Sequence, residues 1–193
     1  MPAQPPPPDA HSPAPTAART LPDALRPGLR LVSVGINPSL PAARAGFAFA
    51  NPRNRFWPAL RASGLVPPDL VPGPAAVQTL LHDHGIGFTD IAPRASAMAH
   101  ELTAAELRAG ALELHVKLVA LTPRVVWFHG TTAAGAWARA VLGQRTPLTL
   151  GEQPFTVGES RVWITPNPSP ANASFSLADI TAWYVRLRAA VMP

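Results

Sequence analysis

"LVSVGINPSL", residues 31–40, decides how the chain is read. Leu31, Val32 and Val34 form the short apolar run of a strand covered on both faces, as in a parallel sheet. Gly35-Ile36-Asn37-Pro38 then ends the run, because proline has no N–H to donate and pushes its neighbour out of regular structure. A buried strand that stops on an amide puts Asn37 where open α/β sheets gather their ligand groups, beyond the carboxyl ends of the strands.

That strand is expected to span 30–36, with further strands at 86–91, 124–129 and 161–165. A weaker one at 154–157 joins the last through the glycine hairpin of "PFTVGESRVWIT". The clearest helix begins at Thr103, where Thr-Ala-Ala-Glu is a capping box, and Leu107, Ala111, Leu114, Leu118 and Leu121 continue it as one apolar stripe. Other helices are expected near 54–63, 75–83, 131–142 and 176–191, the last capped by Ser176 with Asp179 in its first turn. Helices between buried strands predict an α/β fold: a three-layer α/β/α sandwich with a short, mostly parallel central sheet. Its rim then carries Asn37, Asp90, His129 and Asn167.

Nine of the 25 prolines fall within residues 1–27, among Ala, Ser and Thr. Such a stretch buries too little apolar surface to offset its ordering entropy, so residues 1–24 are expected to be a flexible tail. Residues 25–193 are expected to form one domain, ordered from about Gly28. "VPPDLVPGP", residues 66–74, reads as a loop inside it.

The composition narrows the chemistry. With no cysteine, disulfides, thiol catalysis and thiolate-held zinc or iron–sulfur groups are excluded. His82-Asp83-His84 does not share one helix face and reads as a solvated helix end, so neither metal nor cofactor is expected. No apolar run approaches the ~20 residues that cross a bilayer, and the start lacks the pattern of a signal peptide, so a cytoplasmic protein is expected. The formal charge is +5, and 15 of the 16 basic residues are Arg, whose planar fork suits phosphate oxygens. There is no GxGxxG and no GxxxxGK[ST], which argues against a dinucleotide or nucleotide-phosphate site.

Two strand ends look alike: "GINPS" closes the first and "PNPSP" follows the last. Each presents an Asn, a rigidifying Pro and a small residue, offering an amide and backbone N–H groups. Between them, "GFAFANPRNRFW", residues 46–57, sets Phe47 and Phe49 before an Arg-rich turn. Phe56 and Trp57 open an amphipathic helix and are assigned to the core. Phe49, in an irregular loop, is the better platform for a base, a stacking contact worth about 1–3 kcal/mol. Arg53 and Arg55 are placed to hold phosphates.

"GINPSL", "GFAFANPRNRFWPALRASGL", "GIGFTDIAPRAS" and "TPNPSPANASFS", in this order, resemble the mismatch-specific uracil-DNA glycosylase and thymine-DNA glycosylase family. The likeness runs from about residue 28 to 190. It implies excision of uracil and related pyrimidines from double-stranded DNA. It also implies that Asn37 positions the attacking water, Ile36 and Ser39 line the base pocket, and Phe49 stacks on the base. Asn167, Ser169 and the residues after them, Pro170, Ala171 and Asn172, would meet the DNA near the vacated space.

Two positions depart from that pattern. The family does not generally rely on a carboxylate at Asp90, which ends a rim strand in "GIGFTD". Asp90 reads either as a general base or electrostatic partner of the sugar cation, or as a cap of the turn before Pro93. After the last motif the family places a bulky or basic wedge, whereas this chain has Ala171, too small to fill an emptied stack. Weak dependence on the opposing base, and action on single-stranded DNA, are therefore expected. His129 is assigned to packing. The competing reading is a non-catalytic DNA-binding module on the same fold, and a monomer is expected in either case.

Overall fold

The computed structural model describes residues 20–191. Five strands, β1 (Leu31–Gly35), β2 (Ile86–Asp90), β3 (Val125–His129), β4 (Gly151–Val157) and β5 (Ser160–Thr165), form one sheet in the order β2-β1-β3-β5-β4. All neighbours are parallel except the edge pair β4–β5. The helices are α1 (Leu40–Ala45), α2 (Phe56–Ala62), α3 (Pro74–His82), α4 (Ala104–Leu121), α5 (Thr131–Val141) and α6 (Leu177–Val191), with a 3₁₀ turn at Ala99–Glu101. The expected three-layer architecture is what forms, and no described helix is long and apolar enough to cross a membrane.

Side chains alternate between the layers because successive strand residues face opposite sides. On β3, Val125 and Trp127 join the cluster containing Phe56, Leu80, Tyr184 and Leu187 of α2, α3 and α6. Val126 and Phe128 join Leu114, Leu118 and Trp137 of α4 and α5. Burying each such side chain contributes about 1.5–3 kcal/mol. The chain crosses from one side of β1 to the other between β2 and β3, so the strand order reverses there, and a crevice opens beyond β1 and β3.

The helix ends follow their local chemistry. Thr103 and Glu106 exchange the two bonds of a capping box at α4. Ser176 and Asp179 do the same before α6. Each cap is worth about 1 kcal/mol. Helix α1 was not expected, although its signals are present: Ser39 accepts from the Ala42 N–H at 3.3 Å, and Gly46 closes the helix at φ 74°.

The expected tail boundary is corrected. Residues 1–19 lie outside the described residues, but Thr20–Ala24, assigned to the tail, are part of the fold. Ala24 exchanges two 2.9 Å backbone bonds with Phe88, and Thr20 bridges Arg94. Proline-rich composition misled here because β2 is the sheet's edge, and a short antiparallel segment there satisfies its free backbone groups.

Candidate active site

One cavity of about 160 Å³ opens at the carboxyl ends of β1, β2, β3 and β5. Asn37, Phe49, Asp90 and Asn167 all line it, as do Ile36, Ser39, Ser169 and His129.

Asn37 is held by its donors. Its Nδ2 faces Ser96 Oγ at 2.8 Å, the Arg94 carbonyl at 3.0 Å and the Pro38 carbonyl at 3.2 Å. Carbonyls only accept, so the amide orientation is fixed, and Oδ1 receives no bond among the described residues. The free atom is therefore an acceptor. Arg94 is itself anchored to the start of α4, its Nε donating to Glu106 Oε1 at 2.6 Å. Those bonds from Arg94, and others from Thr103, lower the Glu106 carboxyl to about 2. An exposed ion pair of this kind adds little stability; its consequence is the location of the Arg94 carbonyl.

Asp90 lies beside Gly35 in the register of β1 and β2. A Cβ at Gly35 would stand 2.1 Å from Asp90 Oδ1, so the glycine that ends β1 is what admits the carboxyl. The turn-capping reading fails on geometry. The Ile91 and Ala92 N–H groups donate to the Gly35 and Ile36 carbonyls, and no side-chain bond to Asp90 occurs among the described residues. Burial first, and the nearby charge of Asp23 second, raise the Asp90 carboxyl to about 7.

Phe49 adopts φ 58°, a left-handed conformation costly for a bulky residue. One face stacks on Phe56 with centroids 4.0 Å apart and planes at 15°. Because Phe49 also lines the cavity, it is backed by core and presented to whatever enters. Phe56 and Trp57 are buried as expected. His129 is buried, its Nε2 2.8 Å from Ser33 Oγ, and burial lowers its pKa to about 3. It is a buried, neutral side chain that lines the cavity.

Asn167 is held the opposite way from Asn37. Its Oδ1 accepts from the Ser169 N–H at 2.9 Å, and Nδ2 makes no bond among the described residues. Arg55 is a correction. Its guanidinium donates to the carbonyls of Pro168, Ser169, Asn172 and Phe175, so it pins the loop after β5 and is not available to a phosphate. The Asn172 side chain is likewise spent within the loop, donating to the Asn167 carbonyl and accepting from the Ser174 N–H. Pro170 and Ala171 stand exposed at the tip, and Arg53 is exposed on its own turn. The sequence reading missed Ser96, Asn54 and Asp23, which become site residues only through folding. His82 and Asp83 are exposed at the end of α3, as expected, and no group of three or more His, Asp or Glu able to hold a metal occurs among the described residues.

Residues 22–188 match the family model described as the uracil DNA glycosylase superfamily. The chain belongs to that superfamily. The fold is similar to the solution NMR structure of a Methanosarcina acetivorans protein named as a candidate uracil DNA glycosylase, with a TM-score of 0.58 and 21% identity over 89% of this chain and 97% of that one. At that identity the likeness speaks for the architecture, while the superfamily match covers every rim residue described above.

Proposed function

We propose that the chain is a monofunctional DNA glycosylase of the mismatch-specific and thymine-DNA glycosylase type. It hydrolyses the N-glycosidic bond of uracil and related damaged or mismatched pyrimidines in DNA. The observation that carries this reading is the meeting of Asn37, Asp90, Phe49 and Asn167 in one cavity at the sheet's rim.

Each residue then has a physical task. The nucleotide swings out of the helix, at a cost of a few kcal/mol that is smallest at a mismatch. Phe49, stacked on Phe56 and lining the cavity, receives the base. As the bond to C1′ breaks, its electron pair leaves with the pyrimidine, and the unused Asn167 Nδ2–H is the donor for the charge that develops there. A water donates one hydrogen to Asn37 Oδ1, and its oxygen bonds C1′ while Asp90 takes the proton it loses. The products are an abasic sugar and the departing pyrimidine anion, which takes a proton from solvent as Asp90 returns its own to solvent. A carboxyl near 7 suits this work, because it is basic enough to accept and acidic enough to release. Arg53 meets the phosphates, and Pro170 and Ala171 approach the vacated space.

The test is a labelled duplex carrying a single G·U pair, incubated with the protein and then treated with alkali. Strand cleavage at the uracil is expected, with a single-turnover rate that rises with pH through about 7 and loses that limb in Asp90→Asn. Binding without abasic sites would instead favour a DNA-binding module.

A further inference from the structure

The Thr20–Ala24 segment runs antiparallel along the exposed side of β2, bonded to Phe88 at one end and bridged to Arg94 at the other. It therefore straps the stretch that contains Asp90. Gly87 admits it: a Cβ there would lie 2.7 Å from the Ala24 carbonyl oxygen and 2.6 Å from Leu29 Cδ1. Asp23 is fixed at both oxygens, accepting from Thr89 Oγ1 at 2.6 Å and pairing with Lys117, the only lysine of the chain.

Behind the strap lies a second cavity of about 270 Å³. Leu21, Pro22, Asp23 and Asp90 line both cavities, so Asp90 sits at their boundary with Asp23 beside it. The other charged groups facing this second space are Glu113 and Lys117 of α4. Among the described residues lining the first cavity, the one titratable group besides Asp23 and Asp90 is the neutral, buried His129.

We propose that Asp23 is a positioning residue for the reaction: pinned by Lys117 and Thr89 where the two cavities meet, its charge adds to burial in setting when Asp90 gains and loses its proton. The strap is thus part of the active site and not only an edge cover. This rests on the glycosylase reading above, with Asp90 as the base. Two like charges cannot be brought together without disfavouring one of them, and Asp23 is the one compensated by a cation. The physical support for the direction is that Asp23 already contributes to holding Asp90 above the ordinary carboxylate range.

The experiment uses the full chain carrying Asp23→Asn, which keeps the shape and an oxygen for Thr89 but removes the charge. Two readouts are taken: the pH profile of single-turnover uracil excision, and the titration of the Asp90 carboxyl followed by carbon NMR in the free protein. Both midpoints are expected to move to lower pH by roughly half a unit or more, so the variant is faster than the parent at pH 6 and equal to it at pH 9. Asp23→Glu, which restores the charge, is expected to return both midpoints toward their original positions. A strap with a merely structural role would cost rate at every pH and never raise it. An Asp90 signal that stays in place in Asp23→Asn overturns the proposal. If the signal moves but Asp90→Asn excises at the parent rate, Asp90 leaves the chemistry and Asp23's role goes with it. The glycosylase activity itself would still stand in that case.

Discussion

Asn37-Pro38-Ser39 and Asn167-Pro168-Ser169 share three residues and a place at the carboxyl end of a parallel strand, yet they spend their amides in opposite senses. Asn37 commits its N–H groups to Ser96 and to the Arg94 and Pro38 carbonyls, leaving an oxygen. Asn167 commits its oxygen to the Ser169 N–H, leaving the N–H groups. The hydroxyls differ too: Ser39 caps helix α1, while Ser169 accepts from the Ala171 N–H in an irregular loop. One turn thus offers an acceptor to the cavity and the other a donor. Hydrolysis of a base–sugar bond needs both, an acceptor to orient water and a donor for the departing base. A motif matched by letters says nothing of this, because the neighbours that consume each half of the amide come from elsewhere in the chain.

The sharpest way to break the comparison is to make the same substitution at both places. Asn37→Asp would turn an oxygen toward two carbonyls, so the side chain must rotate away or be repelled. A drop of about 10³-fold in single-turnover rate is expected, within the range for loss of a positioned proton-transfer partner. If Asn37→Asp were faster than the parent, the wiring described here would be wrong, since a carboxylate is the stronger base. Asn167→Asp keeps the oxygen that accepts from Ser169 and loses only the donor. The turn should survive, with a fall of about 10–10²-fold that is read in rate more than in binding.

The acid beside the first turn adds a stability effect. Asp90 titrates at about 7 in the folded protein, against an ordinary value of 3.8. The native state therefore holds a proton that the unfolded chain has already lost between those values, and stability falls as pH rises through that window. Asp90→Asn removes the penalty. It is expected to be more stable than the parent at pH 8, by up to about 4 kcal/mol, and nearly equal at pH 4. Denaturant midpoints at the two pH values decide it. His129, at the end of β3, has the opposite dependence: with a folded value of about 3 against an ordinary 6.5, it costs stability as pH falls between those values, equally in parent and variant, so it cancels in the comparison.

Which parts of this were legible beforehand follows from the range of the interactions involved. β1, β3 and α4 were readable because their signals are local: alternation into two apolar layers, and the Thr103–Glu106 box. Asn37 and Asp90 were readable as rim residues because strand ends locate themselves. The tie between Gly35 and Asp90 was not, since it depends on strand register across 55 positions of sequence. Arg55 was misread for the same reason. An arginine in a polar turn looks free until the loop that follows β5 folds over it and supplies four carbonyls. Thr20–Ala24 was hidden by composition, which reports the average of a segment and not the five residues that meet an open strand edge.

Arg55 offers a smaller test of the second turn alone. Arg55→Lys keeps the charge but cannot reach four acceptors with a single ammonium. Leaving part-buried carbonyls without donors costs about 1–3 kcal/mol, and the loop bearing Asn167 should loosen. A loss of stability with roughly tenfold slower excision is expected. Among the described residues no hydrogen bond joins Arg55 to the first turn, so the Asp90 limb of the pH profile should not move. A shift of that limb would mean the two turns are coupled and not independent suppliers.

The smallest effect concerns the tip of the second turn, where Pro170 and Ala171 stand exposed. A side chain that enters the emptied stack recovers part of the unstacking cost and can read the base opposite. A methyl group does neither, so the parent is expected to excise uracil from G·U, A·U and single strands at rates within a few-fold of one another. Ala171→Leu extends the tip without touching the cavity. It should raise the rate on duplexes by roughly three- to tenfold, the worth of about 1 kcal/mol of recovered packing, and leave the single-stranded rate unchanged. Equal gains on paired and unpaired substrates would show that the added side chain acts on the pocket and not on the stack. A parent enzyme that already preferred G·U by a large factor would show that some other residue of this loop does the reading.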